Sequence, residues 1–255
     1  LKDDKKKGVF GKVSGGYGTE DRYEARANIN KFEKNLQLSA IGMANNTNQQ
    51  GFSVMDYVNF MGGIKGLMSG GGGSGGGGRF TMNAGDAGIP INLNNNDGFT
   101  RTTAGGVNLN YDFSPKTEFR SSYFYNNLDK TIDKELFRQN FQGSNTFNTN
   151  ELSNSNTDNS SHRINLIIRQ KFDSTQRINW RNNISFTNEN SNSIVNNSSS
   201  SSDQARQTRN FRTNESDNSG YRGTSSLNYL KRLKKKGRSF GAEVSFNFKK
   251  GLTNS

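Results

Sequence analysis

Apolar side chains return at every second position along one stretch of this chain after another. Val107, Leu109, Tyr111 and Phe113 alternate with Asn108, Asn110 and Asp112. After a Ser114-Pro115-Lys116 break, Phe119, Ser121, Tyr123 and Tyr125 keep the same beat. Ile164, Leu166 and Ile168 repeat it, with Phe172 on the same parity, and so do Ile178, Trp180, Ile184 and Phe186, interrupted by Asn182. The cleanest run is Phe240, Ala242, Val244, Phe246 and Phe248, set against Gly241, Glu243, Ser245 and Asn247. Tyr23, Ala25, Ala27 and Ile29 show it earlier, Leu36, Leu38 and Ala40 more weakly, and Leu227, Tyr229 and Leu233 late in the chain. A strand sends successive side chains to opposite faces, whereas a helical face needs spacings of three and four. The residues involved are largely aromatic or branched, which suits a pleated surface. The pattern predicts an all-β chain whose strands each have one apolar and one polar face.

Composition decides which kind of all-β chain this is. Hydrophobic residues are 29 %, while Asn numbers 38 and Ser 29. With Gly counted and Tyr omitted, the apolar share is about 37 %, against about 45–50 % in an ordinary soluble domain. That is too little to fill one large dry core. Low hydrophobicity with a net charge of +12 is otherwise the signature of disorder, and the Asn/Ser bias over 188–202 fits low complexity. Disorder, however, requires no alternation, and the chain holds 18 Phe against 2 Pro. A barrel with lipid outside and water inside reconciles these facts, because only half of each strand need be apolar. No apolar stretch is long enough for a transmembrane helix, so the backbone of a spanning segment would have to pair in a closed sheet. The absence of Cys excludes disulfides and thiolate metal sites. With His162 as the single histidine, a multi-histidine metal site is excluded too, and no metal or cofactor is expected. The opening Leu1-Lys2-Asp3-Asp4 reads as mature protein or an internal piece.

Connections alternate in length. Short turns are expected near Phe32–Asn35, Ser114–Thr117, Asp173–Gln176 and Lys234–Gly237, with long polar loops over 46–100, about 130–158 and 188–218. Short turns at one end and long loops at the other are the layout of an outer-membrane barrel. The stretch Gly8–Thr19 reads as a glycine-punctuated strand before a turn at Glu20-Asp21-Arg22. Within 46–100, Val54, Tyr57, Val58, Met61, Ile64 and Met68 recur at helical spacing, which predicts a short amphipathic helix. It runs into Gly70–Gly78, a flexible segment that lacks the Gly-Lys-Ser/Thr of a phosphate loop.

Several words of the chain resemble the outer-membrane β-barrel proteins of Bacteroidetes-type bacteria related to TonB-dependent receptors. They are Phe10-Gly11-Lys12-Val13-Ser14-Gly15-Gly16-Tyr17-Gly18-Thr19 with Arg22-Tyr23-Glu24, Ile41 through Phe52, Asp56-Tyr57-Val58-Asn59-Phe60-Met61-Gly62-Gly63, and Gly105-Gly106-Val107-Asn108-Leu109-Asn110-Tyr111. The resemblance is dense from about residue 8 to 127 and thereafter rests on strand pattern. It implies a barrel of about 22 strands preceded by a plug domain, in a protein of the outer membrane that takes up a nutrient or siderophore with an energising TonB-type partner. Against that pattern, residues 1–255 read as a partial antiparallel transmembrane β-barrel of about nine or ten strands, with no plug domain.

The alternation also assigns faces. Glu24, Arg26, Asn28, Glu118, Arg120 and Glu243 fall on the polar parity and are candidate lumen-lining residues. They either stabilise the wall as charge pairs or line a solute path, where charge sets selectivity. Asp56, Tyr57 and Asn59 of the expected helix are candidate loop contacts. The cluster Lys231, Arg232, Lys234, Lys235, Lys236 and Arg238 has no interleaved aromatics and reads as a solvated turn, not a nucleic-acid groove. His162 reads as a surface residue at a strand entry. No nucleophile stands with a base, so no catalysis is expected. Two other functions compete with uptake: a non-transporting scaffold or surface-interaction barrel, and a soluble basic nucleic-acid binder. Burial of Phe240, Val244 and Phe246 in a compact core would remove the membrane reading.

Overall fold

The computed structural model describes residues 7–49, 98–142, 145–201, 207–235 and 237–254. The expected helix, the glycine run, and Asp56, Tyr57 and Asn59 lie outside them. The described residues form one antiparallel sheet of nine strands in sequence order and no helix. The strands are β1 (Gly8–Tyr17), β2 (Tyr23–Phe32), β3 (Leu36–Asn45), β4 (Phe99–Ser114), β5 (Thr117–Gln142), β6 (Asn145–Lys171), β7 (Gln176–Ser201), β8 (Gln207–Arg232) and β9 (Ser239–Asn254). Each pairs only with its sequence neighbours, so the sheet is open, with β1 and β9 at its edges.

The expected short turns are all present and share one end of the sheet. Glu33 and Leu36 exchange backbone bonds of 2.7 and 3.3 Å across the β2–β3 turn. The β4–β5 turn needs only Pro115 and Lys116 between paired residues. In the β6–β7 turn, Asp173 Oδ1 accepts from Thr175 Oγ1 (2.7 Å), Thr175 N (2.6 Å) and Gln176 N (2.9 Å). The Thr175 hydroxyl and amide, with Gln176, hold the Asp173 carboxyl below the usual carboxylate range. The β8–β9 turn places Lys234, Lys235 and Arg238 in solvent, with Gly237 in the left-handed region at φ 81°. At the other end, Glu20 and Asp21 adopt φ of 57° and 55° between β1 and β2.

Two of the three expected loops are strands. Apart from 143–144 and 202–206, which lie outside the described residues, the segments 130–158 and 188–218 are the upper halves of β5–β6 and β7–β8, paired continuously up from the short turns. An apolar beat reports contact with an apolar medium; backbone pairing does not require it. Here Asn, Ser and Thr face each other across strands, as in Thr157 Oγ1 to Ser191 Oγ and Thr149 Oγ1 to Ser199 Oγ, both 3.2 Å, and such pairs stabilise a sheet whose two faces are both wet. The upper part of β5, residues 127–142, alone extends about 50 Å. His162 is likewise inside β6, not at a strand entry.

Burial is inverted relative to a soluble sandwich. The buried apolar residues are Met43, Ala104, Phe124 and Leu128, and they share one face of the sheet, the inner face, with buried Ser39, Asn45, Thr100, Thr102, Asn108, Ser122, Asn126, Ser161, Arg163 and Ser185. The outer face carries the apolar beat uncovered. Central-strand residues there remain exposed at Val107 (46 %), Ile164 (39 %), Trp180 (40 %) and Phe186 (44 %). Phe240, Val244 and Phe246 are exposed as well. No second layer packs on this face among the described residues.

Candidate functional site

Register fixes what each face presents. On the inner face, one row runs Glu118, Arg169, Asn179, Asn228, Glu243 across β5 to β9. The row above it holds Arg120, Ile167, Arg181, Ser226 and Ser245. Near the opposite end, Glu24, Asn45, Thr102, Leu128 and Asn159 form another row. The six polar residues expected on the lumen side therefore do share one face, but in separate groups. Along β5, the row of Glu24 crosses at Leu128, ten residues or about 33 Å from Glu118.

The upper group is built around the segment after β3. Glu24 pairs with Arg26 at 2.5 Å, and Gln49 bridges both, accepting from Arg26 Nη2 (2.5 Å) and donating to Glu24 Oε2 (3.1 Å). Asn28 Oδ1 accepts from Lys12 N at 2.8 Å, tying β2 to β1. Asn46, buried, donates to Asp21 O (2.8 Å), accepts from Tyr23 N (2.7 Å) and receives Arg22 Nη1 on its carbonyl (2.9 Å). Asn48 accepts from Thr100 N (2.8 Å) and donates to Gly98 O (2.9 Å). Arg22 lies over the Phe99 ring, 4.5 Å from its centroid. These bonds bring the two sides of the 50–97 insertion together. Gly98 sits at φ 85°, where a Cβ would meet Thr131 O at 2.3 Å, so this approach requires glycine.

The lower group is cationic. Glu118 Oε2 meets Arg120 Nη2 at 3.5 Å and Arg169 Nη1 at 3.2 Å, while its Oε1 meets Lys171 Nζ at 3.5 Å. Glu243 accepts from Asn228 Nδ2 at 3.4 Å. Asn179, in the amide orientation that satisfies its neighbours, accepts from Arg181 Nε (3.2 Å) and Nη2 (2.7 Å). Arg120 Nε and Arg169 Nη2 are covered and have no acceptor among the described residues. A covered donor left unpaired costs about 1–3 kcal/mol. Arg169, Lys171 and Arg181 escaped the sequence reading, although parity marks them: Arg169 alternates with Ile168 as Arg120 does with Phe119.

The outer face is an apolar band bounded by aromatic rings. Near the short turns, Tyr111 and Phe113 meet edge to face at 4.8 Å, Phe113 and Phe119 at 6.2 Å, and Tyr229 and Phe240 at 6.4 Å. At the other margin stand Phe186 and Tyr221 at 6.3 Å, with Tyr123 and Tyr125 around His162. Tyr123 Oη and His162 Nδ1 share a hydrogen bond of 2.8 Å. From the row of Phe240 to that of Phe186 is ten residues on β7, roughly 33 Å along the strand. At the usual barrel tilt this is roughly 25 Å of height, the thickness of a lipid-facing band. Beyond it the same parity turns polar, as in the row Asp129, Asp158, Asn190, Asp217.

No family profile and no curated protein matches the chain. Among solved structures it is similar to the ferric yersiniabactin uptake receptor FyuA from Yersinia pestis, at 12 % identity and a TM-score of 0.26, covering 96 % of this chain and 43 % of that one. It is similar to the siderophore receptor PiuA from Acinetobacter baumannii, at 9 % identity and a TM-score of 0.21, covering 96 % and 46 %. A third is the CymD monoaromatic hydrocarbon channel, at 10 % identity and a TM-score of 0.22, covering 98 % and 78 %. The chain thus spans less than half the length of the two receptors.

Proposed function

We propose that the nine strands are a section of the wall of an outer-membrane β-barrel, with the apolar face on hydrocarbon and the polar face lining a wet lumen. The observation that carries this reading is the inverted burial: rows of large apolar side chains uncovered on one face, and Ser, Thr and Asn covered on the other. In water an apolar patch of this extent forgoes about 1.5–3 kcal/mol for each large side chain left exposed. Hydrocarbon removes that cost, and the two aromatic margins fit its interfaces. The open edges β1 and β9 then require further strands, because unpaired backbone is not tolerated in lipid.

On this reading the wall belongs to a protein that takes up a nutrient or siderophore, energised by a TonB-type partner through a plug domain outside this sequence. Projection of β5–β8 about 50 Å past the band, with Phe137, Phe141 and Phe211 exposed on it, favours a second reading, a barrel that serves surface interaction. Trp180, the single tryptophan, tests the wall. The complete barrel that contains these strands, with any other tryptophan replaced by phenylalanine, is folded into vesicles containing acyl-brominated lipid. Quenched, blue-shifted emission is expected, and emission quenched by aqueous iodide instead would refute the wall. Loss of uptake in cells lacking the energising protein separates transport from scaffolding.

A further inference from the structure

At the short-turn end, the inner face carries more cationic donors than the wall has acceptors for them. Arg120, Arg169 and Arg181 stand on three successive strands, Arg120 and Arg181 flanking Ile167 in one row and Arg169 one row nearer the turns. Glu118 is already shared by Arg120, Arg169 and Lys171, at 3.5, 3.2 and 3.5 Å. Arg181 is held by the neutral Asn179; among the described residues no carboxylate lies within ion-pair distance of it, and Glu243 on the same face acts on it through its charge alone. Arg177, opposite Lys171, adds a further cation to the same face. Arg120 Nε and Arg169 Nη2 have no acceptor among the described residues. With strands about 4.8 Å apart, Arg120 and Arg181 stand about 10 Å apart across Ile167, and the charge of Arg169 acts on Arg181.

We infer that this corner is a binding site for a small oxyanion, the phosphate or carboxylate group of a solute, bridged by Arg169 and Arg181 with Arg120 at its rim. The planar fork of a guanidinium matches two oxygens of either group, and an anion here supplies the acceptors that the wall withholds. The apolar Ile167 floor keeps water from competing from below. The site rests on the reading that this face lines water, and it makes the wall selective for anionic solutes at the short-turn end, remote from the Glu24–Arg26–Gln49 group.

The test uses the complete barrel that contains these strands, with any other tryptophan replaced by phenylalanine, in detergent micelles, titrated separately with inorganic phosphate and with succinate. Binding is followed by calorimetry and by emission of Trp180, which adjoins Arg181 in sequence. Saturable binding of at least one anion is expected, and the two arms distinguish phosphate from carboxylate recognition. The double variant Arg169→Gln, Arg181→Gln should weaken it by about tenfold or more, and Arg138→Gln on the extension should leave it unchanged. Lysine at positions 169 and 181 keeps the charge without the fork and should restore part of the affinity, which also guards against a glutamine variant that misfolds. No saturation with either anion, or equal affinity in the double glutamine variant with its β circular dichroism intact, overturns the site. Quenching of Trp180 by a brominated detergent in the same micelles shows whether such a failure reaches the wall itself.

Discussion

The lower and upper halves of β5–β8 are made of the same hairpins, yet they obey different rules. Below the row of Tyr125, His162, Phe186 and Tyr221, one parity is mainly aromatic or aliphatic and the other mainly polar. Above it both parities are dominated by Asn, Ser, Thr and charged residues, and pairing continues without a break. Strand formation here follows from backbone pairing and cross-strand contacts, while the two-residue beat follows from the medium on each face. On the proposed reading, the boundary between the halves is where the medium changes.

The largest effect should come from placing a charge in each half. Leu166→Arg, mid-band on the outer face, should cost about 2–4 kcal/mol in vesicles. Asn156→Arg, on the same face and strand but above the boundary, should change stability by less than about 0.5 kcal/mol, since Glu215 lies two strands away in its row. Denaturant midpoints in lipid vesicles measure both, and equal costs would erase the distinction. Four residues above the boundary row, which crosses β3 at Gly42, Asn46→Ala removes the side chain that bonds Tyr23 N and Asp21 O. It should cost about 2 kcal/mol by the same measurement.

A smaller change of opposite sign is expected at Asn182. It stands in the apolar band between Leu166 and Ser225, and its Nδ2 is covered without a partner among the described residues. The neighbouring Ser225 differs, because its Oγ accepts from Trp180 Nε1 at 3.0 Å. Asn182→Leu should stabilise the chain in vesicles by about 1 kcal/mol, and a loss of stability would mean that the amide has a role in the wall.

The smallest effect is a pH dependence at the β6–β7 turn. Asp173 is held ionised by the Thr175 and Gln176 donors, so its folded pKa lies below the unfolded value. The carboxylate therefore stabilises the turn above the unfolded pKa of about 3.9, and this contribution fades as pH falls through the folded value. The stability gap between the parent and Asp173→Asn should hold level from neutral pH down to about 5 and close below about 4. A gap independent of pH would exclude the carboxylate as its source.

Legibility in the sequence followed the same boundary. The turns at Phe32–Asn35, Ser114–Thr117, Asp173–Gln176 and Lys234–Gly237 were readable because each joins two alternating runs. The extension was not: Ser, Thr and Asn on both parities look the same in a loop and in a strand wet on both sides. The faces of Glu24, Arg26, Asn28, Glu118, Arg120 and Glu243 were readable from parity alone. Their grouping was not, since parity carries no register. The charge imbalance around Glu118 appears only once β5, β6 and β7 are aligned and Arg169, Lys171 and Arg181 fall around it.

By itself, the sequence determined the period of the side chains: which residues share a face, where the chain must turn, and that no large dry core can form. Those are local matters, set by the two-residue geometry of an extended backbone and by composition. Only the tertiary structure decided how far each hairpin runs, which rows meet, and which donors are left without acceptors. These depend on inter-strand register, and register is fixed by contacts between residues tens of positions apart, such as the 51-residue separation of Glu118 and Arg169.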